Sequence, residues 1–344
     1  MATNPSAKSK AWAIFDRICA DAAPGGHHTN PWVRDDTGTV TYEPDFDVLE
    51  RLLGVPLYLG APSTSGVPAL ALDVWVSYEL RRAGFDHDAT WPRGTHPRIM
   101  PAAIVNLLAG LPRKERAQLE ARLTKEAPIK GVTSASANIL GKNYLKQVDV
   151  VISDWDTGPE LLISTKRMDS SFGKNAANRV EESYGDAKNL RLRHPLAALG
   201  FVYGLRSTIL TEETKKARWL VDLLQKLGRE DDAYHAVALI MMEYGAEVVP
   251  ADDVEDDTDD PLVAAGVEPD VSEDADVEEI PASDVDEALA NLPRVSIRHD
   301  AVPPALQPSR FLELMVRRVI DATPVDRHEE ARSRLDTPSE NVDH

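Results

Sequence analysis

The feature that most constrains the fold is a pair of short apolar segments separated by turn-forming residues. Val148 to Ile152 and Leu161 to Thr165 are rich in β-branched and aliphatic side chains. The segment from Asp154 to Pro159 between them contains Asp, Thr, Gly and Pro. This pattern is typical of a β-hairpin, and we expect two adjacent antiparallel strands here.

Three polar residues of this hairpin carry the chemical interest. Asp149 is expected on the first strand, and Lys166 closes the second. Because side chains alternate along a strand, Ser164 and Lys166 share one face of the second strand while Thr165 points to the other. The hairpin therefore presents a carboxylate, a hydroxyl and an amine close together.

This arrangement resembles the PD-(D/E)xK nuclease superfamily over roughly residues 138–207. Asp149 matches the first position of the motif and Lys166 the last, whereas Ser164 stands where the superfamily usually has Asp or Glu. Some type II restriction endonucleases carry the same Ser-x-Lys variant and supply a carboxylate from the following helix. The resemblance implies an α+β fold with a restriction-endonuclease-like core, in which helices flank a mixed central sheet.

Two glutamates are candidates for that helix-borne carboxylate, Glu181 and Glu182. The segment from Lys174 to Arg193 predicts a helix, because a stripe of less polar residues recurs at spacings of three and four. The stripe comprises Ala176, Val180, Tyr184 and Ala187. At about 100° per residue, Glu181 lies at the edge of this stripe and Glu182 points away from it. We therefore predict Glu181 as the ligand, with a solvated surface position as the alternative for both.

Together these residues fit metal-assisted phosphodiester hydrolysis. Asp149 and Glu181 are expected to hold Mg²⁺, which stabilises the negative charge that develops on phosphate oxygens. Lys166 is expected to orient or deprotonate the attacking water, and Ser164 to assist through hydrogen bonds. The alternative is that the helix carboxylate does not reach the hairpin, which would leave an inactive nuclease fold that binds nucleic acid or regulates a partner.

The charge distribution supports a nucleic-acid partner in one region and opposes it in another. The formal net charge is −19, yet residues 251–290 hold 17 acidic and no basic residues, leaving 40 acidic and 38 basic residues elsewhere. The helix after the hairpin is rich in basic residues, as contacts with DNA phosphates require. The predicted nucleic-acid-binding residues are Arg167, Lys174, Lys188, Arg191 and Arg193.

Composition also predicts how the chain is organised. The predicted regions are a mostly helical N-terminal module (1–127), a restriction-endonuclease-like core (128–250), an acidic and largely disordered insertion (251–290), a strand and helix that pack on the core (291–325) and a loose tail (326–344). Residues 134–147 are expected to form a helix that enters the core. Residues 233–244 fit either a strand or a helix. The acidic insertion is either a solubilising spacer or a competitor for the DNA surface at Lys188, Arg191 and Arg193.

The remaining features narrow the cellular setting. The single cysteine, Cys19, excludes an intramolecular disulfide and a cysteine-based zinc cluster. No segment approaches the roughly twenty apolar residues of a membrane span, and we expect a cytoplasmic protein.

Taken together, the hairpin, the helix after it and the resemblance predict a Mg²⁺-dependent endonuclease that acts on double-stranded DNA. Resemblance to restriction enzymes implies a role in restriction or anti-phage defence, with a methyltransferase or another defence subunit as partner, and a two-fold dimer where both strands of a palindrome are cut.

Overall fold

A six-stranded sheet, with helices on both faces, forms the centre of the chain. The computed structural model describes residues 5–125, 129, 132–134, 136–170, 172–229, 233–245 and 280–340. Its helices are α1 (Ala7–Ala22), α2 (Phe46–Tyr58), α3 (Val67–Arg82), α4 (Ala102–Ala109), α5 (Arg113–Lys125), α6 (Phe172–Arg191), α7 (Ile209–Glu212), α8 (Thr214–Leu227), α9 (Ala282–Ala290), α10 (Pro308–Ala322) and α11 (Glu329–Asp336). Its strands are β1 (Trp32–Arg34), β2 (Val40–Tyr42), β3 (Thr90–Trp91), β4 (Ala137–Leu140), β5 (Leu145–Val148), β6 (Val150–Asp154), β7 (Gly158–Met168), β8 (Ala198–Arg206), β9 (Ala236–Glu243), β10 (Ser296–Ile297) and β11 (Ser339–Glu340).

The large sheet is mixed, with the strand order β10-β9-β8-β7-β6-β3. Strands β7, β8 and β9 are parallel, and the outer pairings are antiparallel. The crossover between β7 and β8 contains α6, and the crossover between β8 and β9 contains α8. The predicted hairpin and the helix that follows it are present, and the α+β class with helices on a mixed sheet is confirmed.

Alternation along the strands divides the core into two apolar layers. Ile163 of β7 packs in the layer that contains α1, α2, α3 and α10. Leu162, its neighbour, packs in the layer that contains α6 and α8. The first layer includes residues from Ala11 to Ala331, so it crosses the boundary predicted at residue 127.

Helix α3 is buried on all sides, because it lies between the sheet and the first two helices. Its charged residues are therefore paired internally. The Glu79 carboxylate accepts hydrogen bonds from the Tyr42 hydroxyl, the Asp45 backbone N–H and the Arg82 guanidinium. Asp73, one of the few acidic residues inside the protein, faces β7 instead.

Residues 134–147 differ from the predicted helix, because they form the two-stranded hairpin β4–β5. The reason is a tight turn that begins at Gly141, where an added Cβ would lie 2.1 Å from Asn189 Nδ2. Asn189 of α6 accepts a hydrogen bond from the Asn143 N–H and donates one to the Tyr144 carbonyl. Contacts between residues at least 45 positions apart in sequence therefore determine this turn.

Residues 280–340 contain more helix and strand than their composition predicts. Ala282–Ala290, the end of the predicted disordered insertion, forms α9 and buries Val285 and Ala288, while residues 251–279 lie outside the described residues. The tail predicted to be loose forms α11 and β11, which pairs with β1. Arg332 is the physical reason, since its guanidinium donates to the carbonyls of Ile320, Thr323 and Pro324.

Residues 233–244, which fitted a strand or a helix, contain the buried strand β9. In the described part of the chain, no helix combines the length and apolar character needed to cross a membrane.

Candidate active site

The predicted hairpin is present, and Asp149 lies at its open end. Strands β6 and β7 pair antiparallel, with Val150 opposite Ile163. Asp149 is the single residue between β5 and β6. Alternation breaks at this residue, since Val148 and Val150 lie in different apolar layers. The break leaves the Asp149 side chain free to bond the neighbouring strand.

Thr165 of β7 connects Asp149 to a second carboxyl group, that of Asp73. The Thr165 backbone N–H donates to Asp149 Oδ2 over 2.7 Å. The Thr165 hydroxyl donates to Asp73 Oδ1 over 2.5 Å. A residue of α3 and a residue between two strands, 76 positions apart in sequence, are thus held on either side of one threonine.

Burial and mutual repulsion make both carboxyl groups reluctant to ionise. The pKa of Asp73 is raised well above its ordinary value by burial and by the negative charge of Asp149, and the Thr165 hydrogen bond and Lys166 only partly oppose this. The pKa of Asp149 is raised by burial, and the positive charge of Lys166 is the largest opposing influence. Two interacting carboxyl groups of this kind titrate as a pair. Full ionisation of the pair leaves negative charge that Lys166 and Lys146 offset only in part and that a cation would offset further.

Lys166 and Ser164 point to the face opposite Thr165, as the alternation predicted. The Lys166 side chain is partly exposed, and its positive charge opposes the rise in the pKa of both aspartates. Ser164 is buried and hydrogen-bonded to the hydroxyl of Tyr234. That hydroxyl also donates to the Ser183 carbonyl of α6 over 3.0 Å. The Tyr234 hydroxyl therefore links Ser164 of β7 to α6 through hydrogen bonds.

Helix α6 packs on the sheet through the predicted stripe, with Val180 and Ala187 buried. Glu181 and Glu182 are both exposed. The acidic residue of α6 whose charge raises the pKa of Asp149 is Asp186. Its carboxylate forms an ion pair with Lys146 at 2.7 Å and accepts a hydrogen bond from the Tyr144 hydroxyl at 2.9 Å. Five residues along a helix change direction by about 140°, so Glu181 and Asp186 face different ways.

The predicted nucleic-acid-binding residues occupy different environments. Lys188 and Arg193 are exposed near the end of α6, while the side chain of Lys174 lies outside the described residues. Arg191 is partly buried and donates to the Ala233 carbonyl over 3.1 Å. Arg167 is buried, because its guanidinium pairs with Asp169 over 2.9 Å and donates to the Pro68 carbonyl. Arg167 thus braces the end of β7 inside the protein, away from any surface that DNA could touch.

Asp73 is the site residue that sequence reasoning missed. Its sequence neighbours from Leu70 to Val76 are otherwise apolar. An aspartate is rarely buried unless it has a partner, so a charge within an all-apolar helix was a usable signal. The signal identifies a buried acid, although it does not identify Asp149 as the group beside it.

The carboxylate oxygens of Asp73 and Asp149 are suitable ligands for a hard divalent cation. Mg²⁺ is commonly held by one or two carboxylates and retains several waters. Across the described ranges, no group of three or more His, Cys, Asp or Glu side chains is placed to hold a metal. A cation at this position would therefore be held by Asp73 and Asp149, with water or substrate oxygens completing its coordination.

Comparison with protein-family models, curated proteins and solved structures finds no match for this chain.

Proposed function

We propose that this protein is a metal-dependent nuclease that hydrolyses DNA phosphodiester bonds. The observation that supports the proposal is the pair of carboxyl groups of buried Asp73 and half-buried Asp149, bridged by Thr165 beside the Lys166 ammonium. A purely structural role is a poor explanation for the pair. A buried acid held close to a second acid whose ionisation is also disfavoured opposes folding at neutral pH, and such unfavourable arrangements concentrate at functional sites.

Asp73 and Asp149 would hold the cation, and Asp73 takes the place that the sequence assigned to Glu181. When bound, Mg²⁺ supplies Lewis-acid stabilisation of the charge that develops on phosphate oxygens. Thr165 fixes the spacing of the two carboxyl groups through its N–H and its hydroxyl. The repulsion between the carboxylates is what the cation would relieve.

Lys166 is suited to a role at the attacking water and the phosphate. Its ammonium is close enough to lower the pKa of Asp149, yet the side chain remains partly exposed. A compact ammonium on a flexible stem can donate to a phosphate oxygen or exchange a proton with water. Ser164 supports this position indirectly, because its bond to Tyr234 holds β7 against α6.

Exposed Lys188 and Arg193 are the described basic residues that we assign to contacts with the DNA backbone. Such contacts position a nucleic acid without reading its sequence. A role in restriction or anti-phage defence, a methyltransferase partner and a two-fold dimer follow from the resemblance to restriction enzymes and form part of the same proposal.

Cleavage of supercoiled plasmid and bacteriophage DNA in MgCl₂ or EDTA tests the proposal. Asp149→Asn should reduce cleavage to the EDTA level, and Lys166→Gln should slow it by on the order of 10²-fold or more. Asp222→Asn and Lys226→Gln are matched controls, because these residues form an exposed ion pair on α8. Wild-type protein that binds DNA without metal-dependent cleavage would refute the enzyme and favour an inactive nuclease fold that serves as a regulatory subunit.

A further inference from the structure

A second polar cluster lies at the end of the sheet where β8 and β9 begin. Its centre is His235, which directly precedes β9. The Leu199 backbone N–H donates to His235 Nδ1 over 2.9 Å. Leu199 pairs with Leu162 of β7, four residues before Lys166. The cluster is thus displaced from Lys166 by roughly 13 Å along the sheet.

The Leu199 hydrogen bond fixes which nitrogen of His235 carries the proton. Nδ1 accepts a hydrogen bond, so a neutral imidazole must carry its hydrogen on Nε2. Burial, followed by the positive charges of Arg318 and Arg191, lowers the pKa of His235 to about 3. The ring is therefore neutral at physiological pH, and Nε2 is a donor. That nitrogen is buried and has no hydrogen-bond partner among the described residues.

Two guanidinium groups from different helices approach the same imidazole. Arg191 of α6 donates through Nη1 to the Ala233 carbonyl, two residues before His235. Arg318 belongs to α10, which packs against β8 and β9 from the other face. The Nε atom of Arg318 is also buried, with no partner in the described part of the chain. The positive charge of Arg191 adds to burial in lowering the pKa of Arg318.

The cluster consists of donors, and a ligand must therefore bring acceptors. A buried donor without a partner is unfavourable, and a ligand that accepts its hydrogen bond removes that cost. Asp321 acts on Arg318 as an opposing charge, yet it is exposed. A metal ion is excluded here as the ligand, because His235 Nε2 carries a hydrogen and both neighbouring groups are cationic. An anion with several oxygen atoms satisfies all of these donors together.

We propose that His235, Arg191 and Arg318 form a binding site for a phosphate group, either free or at the end of a larger molecule. Guanidinium groups match phosphate oxygens with paired N–H donors. Donors that arrive from β9, α6 and α10 suit the tetrahedral arrangement of phosphate oxygens better than a planar carboxylate. The site is independent of the proposed nuclease function, because it uses none of the groups around Asp149.

Calorimetric titration with inorganic phosphate in EDTA tests this site. Arg318→Gln and His235→Gln should each weaken binding at least tenfold. The control is Arg310→Gln, an exposed arginine on the same helix as Arg318, which should leave the affinity unchanged. Lys166→Gln should also bind phosphate normally, whereas a loss in that variant would place the phosphate at the Asp149 site and overturn the proposal. Far-ultraviolet circular dichroism and the Tm identify any variant that is not folded, and Arg318→Lys then replaces Arg318→Gln as the test, with the same weakening expected.

Further titrations distinguish the source of the phosphate and the competing occupants. Tighter binding of a 5′-phosphorylated oligonucleotide than of its unphosphorylated form identifies a nucleic-acid end, and equal binding of inorganic phosphate and a nucleoside monophosphate identifies a free phosphate. Acetate that binds as well as phosphate overturns the proposal. Residues 230–232 are Glu-Asp-Asp and lie outside the described residues. Phosphate binding that appears only after their replacement by Gln-Asn-Asn would show that an acidic side chain of the protein is the natural occupant, and would overturn the proposal. Absence of phosphate binding in every form of the protein would overturn it as well.

Discussion

Asp73→Asn should make the protein more stable while it removes metal-dependent cleavage. The variant retains an oxygen that can accept a hydrogen bond from the Thr165 hydroxyl. It removes the charge that burial and Asp149 both disfavour. Gains in stability at the expense of activity are common when a strained site residue is replaced.

The pH dependence gives the prediction its magnitude and sign. The folded-state pKa of Asp73 lies above its unfolded value of 3.8. The favourable contribution of the protonated carboxyl is therefore complete below that pH and is lost as the pH rises through the folded-state pKa. Each unit of difference between the two pKa values corresponds to about 1.4 kcal/mol. We expect Asp73→Asn to raise the free energy of unfolding by about 1–3 kcal/mol at pH 8, with the gain shrinking toward pH 4.

Urea unfolding at pH 4.5, 6 and 8, with and without 10 mM MgCl₂, measures both effects. A cation bound with a Kd near 1 mM would stabilise the wild type by about 1.4 kcal/mol and the variant by much less. Asp222→Asn, an exposed acid on α8, should show neither effect. A variant that is less stable than the wild type by the same amount at every pH would refute the reasoning, because Asp73 would then act as an ordinary structural acceptor.

Four further outcomes follow from the same contacts. Cleavage by the wild type should increase from pH 6 to 8, since the raised pKa values of Asp73 and Asp149 delay formation of the doubly ionised pair; a rate that is flat across this range counts against the pair. Tyr234→Phe should lower the free energy of unfolding by about 1 kcal/mol through loss of the hydroxyl bond to Ser183, and chemical denaturation measures this. Gly200→Ala should cost about 1–3 kcal/mol, because its Cβ would lie 2.8 Å from the Phe311 ring; an unchanged Tm would show that the ring can move away. Arg332→Ala should expose the C-terminal segment to limited proteolysis, as the carbonyls at the end of α10 lose their donor, and protection equal to that of the exposed-site control Glu329→Ala would contradict a special role for Arg332.

Much of the secondary structure was predictable because it depends on local patterns. The N-terminal module predicted to be mostly helical contains α1–α5. The hairpin of β6 and β7 follows from two apolar segments around a turn-rich linker. These features are set by residues close together in sequence, so periodicity and turn chemistry detect them.

The features that sequence reasoning missed depend on contacts between distant segments. Asn189 of α6 determines the turn at Gly141, and the segment before it therefore forms a hairpin rather than a helix. Asp73 meets Thr165 across a separation of 92 residues. The Glu181 prediction chose a helix face from an apolar stripe alone, whereas the position of Asp186 depends on Lys146 and Tyr144 of the β4–β5 hairpin. A single sequence contains no direct record of such pairings.

Location of a bound cation tests the central claim most directly. Crystals soaked in MnCl₂, with anomalous differences measured at the manganese edge, report the position of the ion independently of DNA cleavage. The proposed site predicts a peak about 2 Å from carboxylate oxygens of both Asp73 and Asp149, on the side of Lys166, and no such peak in Asp149→Asn. Protein that cleaves DNA with Mn²⁺ but binds the ion at Glu181, or elsewhere away from the two aspartates, would contradict it.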